Sequence, residues 1–135
     1  MIYLDSSALL KLLIEEQESA ALAAWVSEQD GTPLVSSELT RVEVVRAARR
    51  LDVETVPAAR ALVSQLDLVP LRRGVLDTAA DAGGPLLRTR DALHLASALS
   101  VRSDITAFVA YDHRLSAAAE AAGLPTVRPE PTVSG

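Results

Sequence analysis

Short, continuous apolar runs alternate along the chain with longer segments in which apolar residues recur every three or four positions. Apolar runs bounded by turn residues or by an acid predict buried strands, and apolar residues at helical spacing predict amphipathic helices. Five strands are predicted, at residues 1–5, 34–36, 68–71, 105–111 and 125–127. Strands that alternate with helices in this way indicate a parallel sheet covered by helices on both faces.

The predicted helices fill the segments between the strands. The first follows Ser6, whose hydroxyl is expected to cap it, and places Leu9 and Leu13 on its inner face. The other helices are predicted at residues 19–29, 38–51, 57–66, 75–82, 90–101 and 116–122. The sequence therefore predicts one three-layer α/β/α domain over residues 1–135, with a central, mostly parallel sheet of about five strands. Residues 129–135 are expected to form a frayed tail.

The composition restricts the chemistry that this domain can perform. The chain has no cysteine, which excludes disulfides, thiolate catalysis and cysteine-bound zinc. Its two histidines, His94 and His113, are too few for a histidine-based metal site, so a bound metal would be held by oxygen atoms. The opening residues do not resemble a signal peptide, and no apolar run approaches the roughly 18 residues of a membrane span. A cytoplasmic location without membrane contact is expected.

The net charge of −5 points away from a protein that binds nucleic acid through an extended basic surface. That argument weakens where several acids gather around bound cations, because the cations reverse the local field. Arginines are grouped in three parts of the chain: Arg46, Arg49 and Arg50, then Arg72 and Arg73, and then Arg88 and Arg90. Two interpretations of these groups stay open, a solvated face with local ion pairs or a set of contacts to phosphate.

Two aspartates follow predicted strands that should be central in the sheet, Asp5 after the first and Asp112 after the fourth. Ligands of parallel α/β sheets bind beyond the carboxyl ends of the strands, which is where both acids are expected. Asp91 lies in the first turn of a predicted helix, and Glu43 lies within a helix that is apolar on its core side. Clustered carboxylates repel one another and are stable only around cations, and Mg²⁺ and Mn²⁺ prefer such oxygen ligands.

Each of these residues also has an ordinary structural interpretation. Asp91 alone is typical of a helix N-cap, and Glu43 alone is typical of a solvated residue or of an ion-pair partner of Arg46. His94, on nearly the same helix face as Asp91, is expected to be a packed, hydrogen-bonded residue, and His113 an exposed loop residue. Spacing alone therefore leaves both the metal site and the ordinary roles open.

Other phosphate-handling and nucleophilic sites are disfavoured. A phosphatase of haloacid-dehalogenase type needs a second acid where this chain has Ser7, and a receiver domain needs a lysine near its fourth or fifth strand, whereas the only lysine is Lys11. No glycine-rich phosphate loop is present, and Ser6 and Ser7 lack the context of a nucleophile elbow. Water activated by a metal ion needs none of these groups.

Four segments, in order along nearly the whole chain, resemble the PIN-domain ribonucleases, and specifically the VapC-type toxins of toxin–antitoxin pairs. They are Ile-Tyr-Leu-Asp-Ser-Ser-Ala at residues 2–8, Ser-Glu-Leu-Thr-Arg-Val-Glu-Val at 37–44, Arg-Asp-Ala-Leu-His-Leu-Ala at 90–96 and Val-Ala-Tyr-Asp-His-Arg-Leu at 109–115. Each segment carries one of the four acids. Their order and number make the resemblance specific, although each segment alone is a weak signal.

The resemblance implies a PIN-like nuclease fold and a Mg²⁺- or Mn²⁺-dependent endoribonuclease that cleaves structured RNA such as tRNA or rRNA. It also implies inhibition by a cognate VapB-type antitoxin and a homodimeric assembly. The resemblance assigns Asp5 and Asp91 as direct metal ligands, and Glu43 and Asp112 as acids that act partly through water or a second ion. Ser6 is expected to hydrogen-bond the metal or its water.

The sequence also indicates one residue that supports the acidic site and two alternative functions for the chain. Arg114, two residues after Asp112, is expected to orient that aspartate or to bind phosphate. The first alternative is a non-catalytic module that keeps the fold and acts only through a partner. The second is a metal-dependent nuclease that acts on DNA.

Overall fold

A computed structural model, which describes residues 1–132, has a five-stranded sheet in which all neighbouring strands are parallel. The strands are β1 (Ile2–Leu4), β2 (Leu34–Ser37), β3 (Asp67–Val69), β4 (Ala107–Val109) and β5 (Thr126–Val127), in the spatial order β3-β2-β1-β4-β5. Each strand overlaps its predicted apolar run, and the predicted α/β class is confirmed. Residues 133–135 of the predicted tail lie outside the described residues.

Helices connect the strands throughout residues 1–132. They are α1 (Ser6–Leu13), α2 (Ser19–Glu28), α3 (Thr40–Leu51), α4 (Val56–Ser64), α5 (Arg73–Asp81), α6 (Thr89–Ser100) and α7 (His113–Ala121). Two short 3-10 turns, Val53–Thr55 and Arg102–Asp104, are not apparent from the sequence pattern. Among the helices of this described part of the chain, none has the length and apolar character needed to cross a membrane.

The side chains of the strands alternate between the two faces of the sheet. Tyr3 of β1 and Phe108 of β4 pack on one face with α5, α6 and α7, whereas Leu4 and Val109 pack on the other with α1 to α4. All four side chains are fully buried. Because helices cover both faces, the central strands β1 and β4 are buried along their whole length, and this is why they appear as continuous apolar runs. The predicted three-layer architecture is confirmed.

The direction in which strands are added to the sheet reverses at β1. From β1 the chain builds through β2 and β3 on one side, and it then crosses to β4 and β5 on the other side. The crevice beyond the carboxyl ends of β1 and β4 is therefore the switch point at which open parallel sheets bind ligands. Asp5 directly follows β1, and its N–H donates a hydrogen bond to the carbonyl of Val109 at the end of β4 (3.1 Å).

The start of α1 corrects one sequence prediction. Asp5, not Ser6, caps this helix, because the Asp5 Oδ1 accepts a hydrogen bond from the N–H of Ala8 (2.9 Å). Asp5 still has an extended backbone, which directs its short carboxylate back onto the free N–H groups of the first turn. The hydroxyl of Ser6 is therefore available for another contact.

Candidate active site

Asp5 lies at the switch point and is almost completely buried, with 3% of its surface exposed. Besides the N–H of Ala8, its Oδ1 accepts a hydrogen bond from the Ser7 hydroxyl (2.6 Å). The oxygen of Ser7 in turn accepts a hydrogen bond from the N–H of Tyr111, just beyond β4 (3.1 Å). Ser7 therefore joins the acid at the end of β1 to the segment that leaves β4.

Asp91 lies in the first turn of α6 and is also buried, with 8% of its surface exposed. The N-cap interpretation is wrong, because α6 begins at Thr89 and its cap position is Arg88. Within residues 1–132 the Asp91 carboxylate has no side-chain hydrogen bond or ion pair, whereas the carboxylates of Asp5 and Glu43 are both engaged. Its carboxylate, which the dipole of α6 favours, therefore remains available to a ligand.

The environment of Asp5 and Asp91 is unfavourable for negative charge. Burial is the largest cause that raises the pKa of each carboxyl group, and the charge of Asp91 raises the pKa of Asp5 further. The charges of Asp112 and Glu43 raise the pKa of Asp91 in the same direction. Asp91 is thus electrostatically coupled to the other three candidate acids.

Glu43 reaches the crevice from α3, and 12% of its side chain is exposed. Its Oε2 lies 3.2 Å from Nε of Arg90 and accepts a hydrogen bond from the Ser6 hydroxyl at 3.4 Å. Its Oε1 lies 2.7 Å from Nε2 of His94. The interpretation of Glu43 as a partner of Arg46 is wrong, because Glu43 faces α6 and pairs with Arg90. Both carboxylate oxygens are therefore held by other parts of the chain.

His94 connects Glu43 to the interior of the protein. It is fully buried, and its Nδ1 lies 2.8 Å from the hydroxyl of Tyr3 in β1. The prediction of a packed, hydrogen-bonded histidine is confirmed. Sequence reasoning missed the part played by Tyr3, which was counted only within an apolar strand. The signal was present, since the hydroxyl of a tyrosine in a buried strand needs a hydrogen-bond partner.

Asp112 lies at the exposed rim of the crevice. It caps α7 by accepting hydrogen bonds at Oδ1 from the N–H groups of Arg114 and Leu115 (2.9 and 3.0 Å), so this helix begins before its predicted start at Ser116. Arg114 contacts Asp112 through its backbone, and its side chain lines an outer groove beside Leu86. The contact between Arg114 and Asp112 is made by the backbone N–H of Arg114 and is part of the helix cap.

The four candidate acids meet at one end of the sheet but do not face a common point. Among residues 1–132 no three acid or histidine side chains are arranged closely enough to hold a metal ion. Oδ1 of Asp5 and Oδ1 of Asp112 accept helix caps, and both oxygens of Glu43 are engaged by neighbours. The donor set is nevertheless all oxygen, and the two buried carboxylates carry the charge that a hard divalent cation would neutralise.

The contacts of Ser7 lead to a prediction about stability. Replacing Ser7 by alanine removes a donor to Asp5 and the acceptor of the Tyr111 N–H, so the free energy of unfolding is expected to fall by about 1–2 kcal/mol. Urea unfolding of the purified variant measures this change. Ser6→Ala is the matched control and is expected to have a smaller effect, because the Ser6 hydroxyl makes one longer contact, at 3.4 Å. Equal losses in the two variants would contradict the role given to Ser7.

Comparison with known proteins assigns the fold to a family. The PIN domain family model matches residues 2–121. Ribonuclease VapC35 of Mycobacterium tuberculosis is 43% identical over 131 residues, which cover 96% of this chain and 97% of that protein. Among solved structures, M. tuberculosis VapC20, described as a sarcin–ricin loop cleaving toxin, has a TM-score of 0.74 at 18% identity, and the match covers 96% of this chain and all of that one.

A second solved structure has the same fold in a complex. VapBC2 from Rickettsia felis, bound to a DNA fragment from its promoter, has a TM-score of 0.69 at 9% identity, again over 96% of this chain and all of that one. At these identities the two structures support the fold alone. The family model and the 43% identical relative both extend over most of the chain. The chain therefore belongs to the PIN domain family, and its relatives there are VapC-type proteins.

Proposed function

We propose that this chain is a cytoplasmic, Mg²⁺- or Mn²⁺-dependent endoribonuclease toxin that cleaves structured RNA and is neutralised by a cognate antitoxin. The observation that carries the proposal is the pair of buried acids, Asp5 and Asp91, at the switch point of the sheet. Burial of two coupled carboxylates is unfavourable in the absence of a counter-charge, and functional sites are where such arrangements are concentrated. The relationship to a protein named ribonuclease VapC35 supports the choice of reaction.

The donor type of these residues, carboxylate oxygen, fits a divalent metal ion, although no three of them lie close enough together within residues 1–132 to enclose one. Asp5 and Asp91 would hold it directly, whereas Glu43 and Asp112 would contact its water or a second ion. When bound, Mg²⁺ or Mn²⁺ lowers the pKa of a coordinated water and offsets the charge that develops on the phosphodiester. Every proposed ligand atom is a carboxylate oxygen, which is the donor type that these two ions prefer.

The remaining residues of the site orient the acids and approach the phosphate backbone. Ser7 holds the Asp5 carboxylate by its hydroxyl, and Ser6 contacts Glu43. Arg90 pairs with Glu43 while 57% of its side chain stays exposed, so its guanidinium can also meet a phosphate of the substrate. Further phosphate contacts are assigned to the exposed arginines of α3, Arg46, Arg49 and Arg50, which lie together around a shallow cavity. These arginines offset the net acidity of the chain locally.

The proposed substrate class is structured RNA, either tRNA or rRNA, because VapC20, which has the same fold, is described as a toxin that cleaves the sarcin–ricin loop. The proposed partners are a VapB-type antitoxin and a second copy of the chain. The solved VapBC2 complex, whose fold matches this chain over 96% of its length, is consistent with a partner of this kind.

We expect cleavage by the purified chain to require a divalent metal ion and to be selective for RNA over DNA. The purified chain is expected to cleave labelled tRNA and rRNA fragments in Mn²⁺ or Mg²⁺, to stop in excess EDTA, and to leave single-stranded and flap DNA intact. Gel analysis of end-labelled substrates measures all three results. Preferential cleavage of DNA would instead support a DNA nuclease, and cleavage in excess EDTA would remove the metal from the proposal. If the purified protein cleaves neither RNA nor DNA and also binds no Mn²⁺ in calorimetry, the result would indicate a non-catalytic binding module.

A further inference from the structure

Side chains from β1, α6 and α3 form a continuous hydrogen-bonded chain beside the candidate site. The Tyr3 hydroxyl lies 2.8 Å from Nδ1 of His94, and Nε2 of His94 lies 2.7 Å from Oε1 of Glu43. Tyr3 and His94 are fully buried, whereas Glu43 retains 12% exposure of its side chain. The chain of contacts therefore runs from the interior of the sheet to one of the candidate acids.

The direction of these hydrogen bonds follows from the groups that carry hydrogen. An ionised carboxylate only accepts, so Nε2 of His94 must carry the hydrogen that is donated to Glu43. In a neutral imidazole, Nδ1 is then an acceptor, and the Tyr3 hydroxyl is the donor that faces it. With a neutral ring, both contacts are satisfied only in the Nε2–H tautomer.

We propose that Tyr3 and His94 are positioning residues: Tyr3 orients the His94 ring, and His94 holds the Glu43 carboxylate at the candidate metal centre. This inference rests on the proposed function, because it takes Glu43 to be one of the acids that serve the metal. Partners of a metal-binding carboxylate or histidine commonly fix its orientation in this way. Glu43 has one more rotatable bond than an aspartate, so it loses more conformational freedom when it is fixed.

The packing around Tyr3 separates this role from simple core filling. The Tyr3 ring stacks on Phe108, with centroids 5.2 Å apart and planes inclined by 7°. That contact involves the ring face and not the hydroxyl. Replacing Tyr3 by phenylalanine therefore keeps the stack and removes the hydroxyl, which faces His94 and also lies near the side chains of Ser36 and Ser97. A ring that served only to fill the core would leave the site unchanged after this substitution.

The first measurement is spectroscopic and needs no catalysis. The full chain carries two histidines, so His113→Gln leaves the ¹⁵N-labelled ring of His94 as the only histidine signal. Two-bond ¹⁵N–¹H correlation in mildly alkaline buffer is expected to show the neutral Nε2–H tautomer. Adding Tyr3→Phe is expected to shift the Nδ1 resonance, because that atom loses its donor. A neutral ring in the Nδ1–H tautomer, or an unshifted Nδ1 signal, would overturn the inference.

The second measurement is Mn²⁺ affinity by calorimetry in otherwise wild-type protein. His94→Leu is expected to weaken binding by about 10- to 100-fold, and Tyr3→Phe by several-fold, as for other partners of metal ligands. His94→Gln supplies an amide N–H in place of Nε2–H and is expected to restore most of the affinity. Tyr111→Phe is the matched control, because it removes the only other tyrosine hydroxyl, which donates to the carbonyl of Pro129.

The outcomes distinguish failure of this inference from failure of the proposed function. Wild-type protein that cleaves RNA with Mn²⁺, together with a Tyr3→Phe variant that binds Mn²⁺ as tightly as wild type, overturns the positioning role alone. A His94→Gln variant no better than His94→Leu also overturns it, because ring packing would then matter more than the donor. Wild-type protein that neither binds Mn²⁺ nor cleaves RNA overturns both. If His94→Leu does not fold, Tyr3→Phe and the tautomer measurement still decide.

Discussion

Replacing Asp91 by asparagine is expected to reduce Mn²⁺-dependent RNA cleavage by more than about 100-fold and to leave the fold intact. Removing a residue that only supports a metal ligand commonly reduces activity or metal affinity by 10- to 100-fold, so a direct ligand should cost more. Within residues 1–132 the Asp91 carboxylate makes no hydrogen bond or ion pair that the amide would break, which is why the fold should persist. Initial rates on a labelled structured RNA at saturating Mn²⁺ measure the loss.

The same loss of RNA cleavage is expected for Asp5→Asn, and the start of α1 is expected to stay unchanged. Asparagine caps helices about as well as aspartate, so the bond from the Ala8 N–H should be kept and the loss should reflect the missing charge. Asp77→Asn provides the matched control, because Asp77 is an exposed aspartate on α5 outside the site. Full activity in either site variant, with circular dichroism showing native structure, would contradict the assignment of that acid.

The positions of Asp5 and Asp112 were predictable because they depend on backbone topology. Both follow apolar runs, and a continuous apolar run of four to eight residues has few alternatives to a buried strand. Once two such strands are adjacent and parallel, the residues after them must lie at the same edge of the sheet. The packed state of His94 was predicted on a different ground, because a site made only of oxygen ligands leaves no ligand role for a histidine.

The contacts of Glu43 could not be predicted, because they depend on side-chain directions across the fold. His94 and Arg90 lie far from Glu43 in sequence, and the nearer candidate, Arg46, lies on the exposed side of α3. The cap of α1 was misassigned for a related reason. Ser6 and Asp5 are both good cap residues, and the choice depends on the residue at which the extended backbone ends. Neither spacing nor composition contains that information.

The raised pKa values of Asp5 and Asp91 determine how the metal-free protein should respond to acid. The pKa of an aspartate in the unfolded chain is about 3.9. Because the pKa of Asp5 and of Asp91 is raised in the folded state, the folded protein binds these protons at a higher pH than the unfolded chain does. Between the raised value and the unfolded value, the folded state holds more protons. These two groups should therefore make the protein more stable as the pH falls through that window, and less stable as the pH rises through it.

Asp91→Asn is consequently expected to raise the melting temperature of the metal-free protein by a few degrees at neutral pH, and the double variant Asp5→Asn/Asp91→Asn by more. The difference from wild type should shrink as the pH falls toward the pKa of an unfolded aspartate, because protonation of the wild-type carboxyls then has the same effect as the amides.

Thermal unfolding in EDTA at several pH values measures this difference, and subtracting the wild-type curve removes the other titrating groups. Added Mn²⁺ should reverse the order at neutral pH, since a ligand that binds only the folded state stabilises wild type most. A variant that is less stable than wild type at neutral pH in EDTA would mean that burial and repulsion do not strain these carboxylates. If the expected order is found, the two acids reduce stability in the metal-free protein and are retained for binding the ion, which is the trade-off commonly found at functional sites.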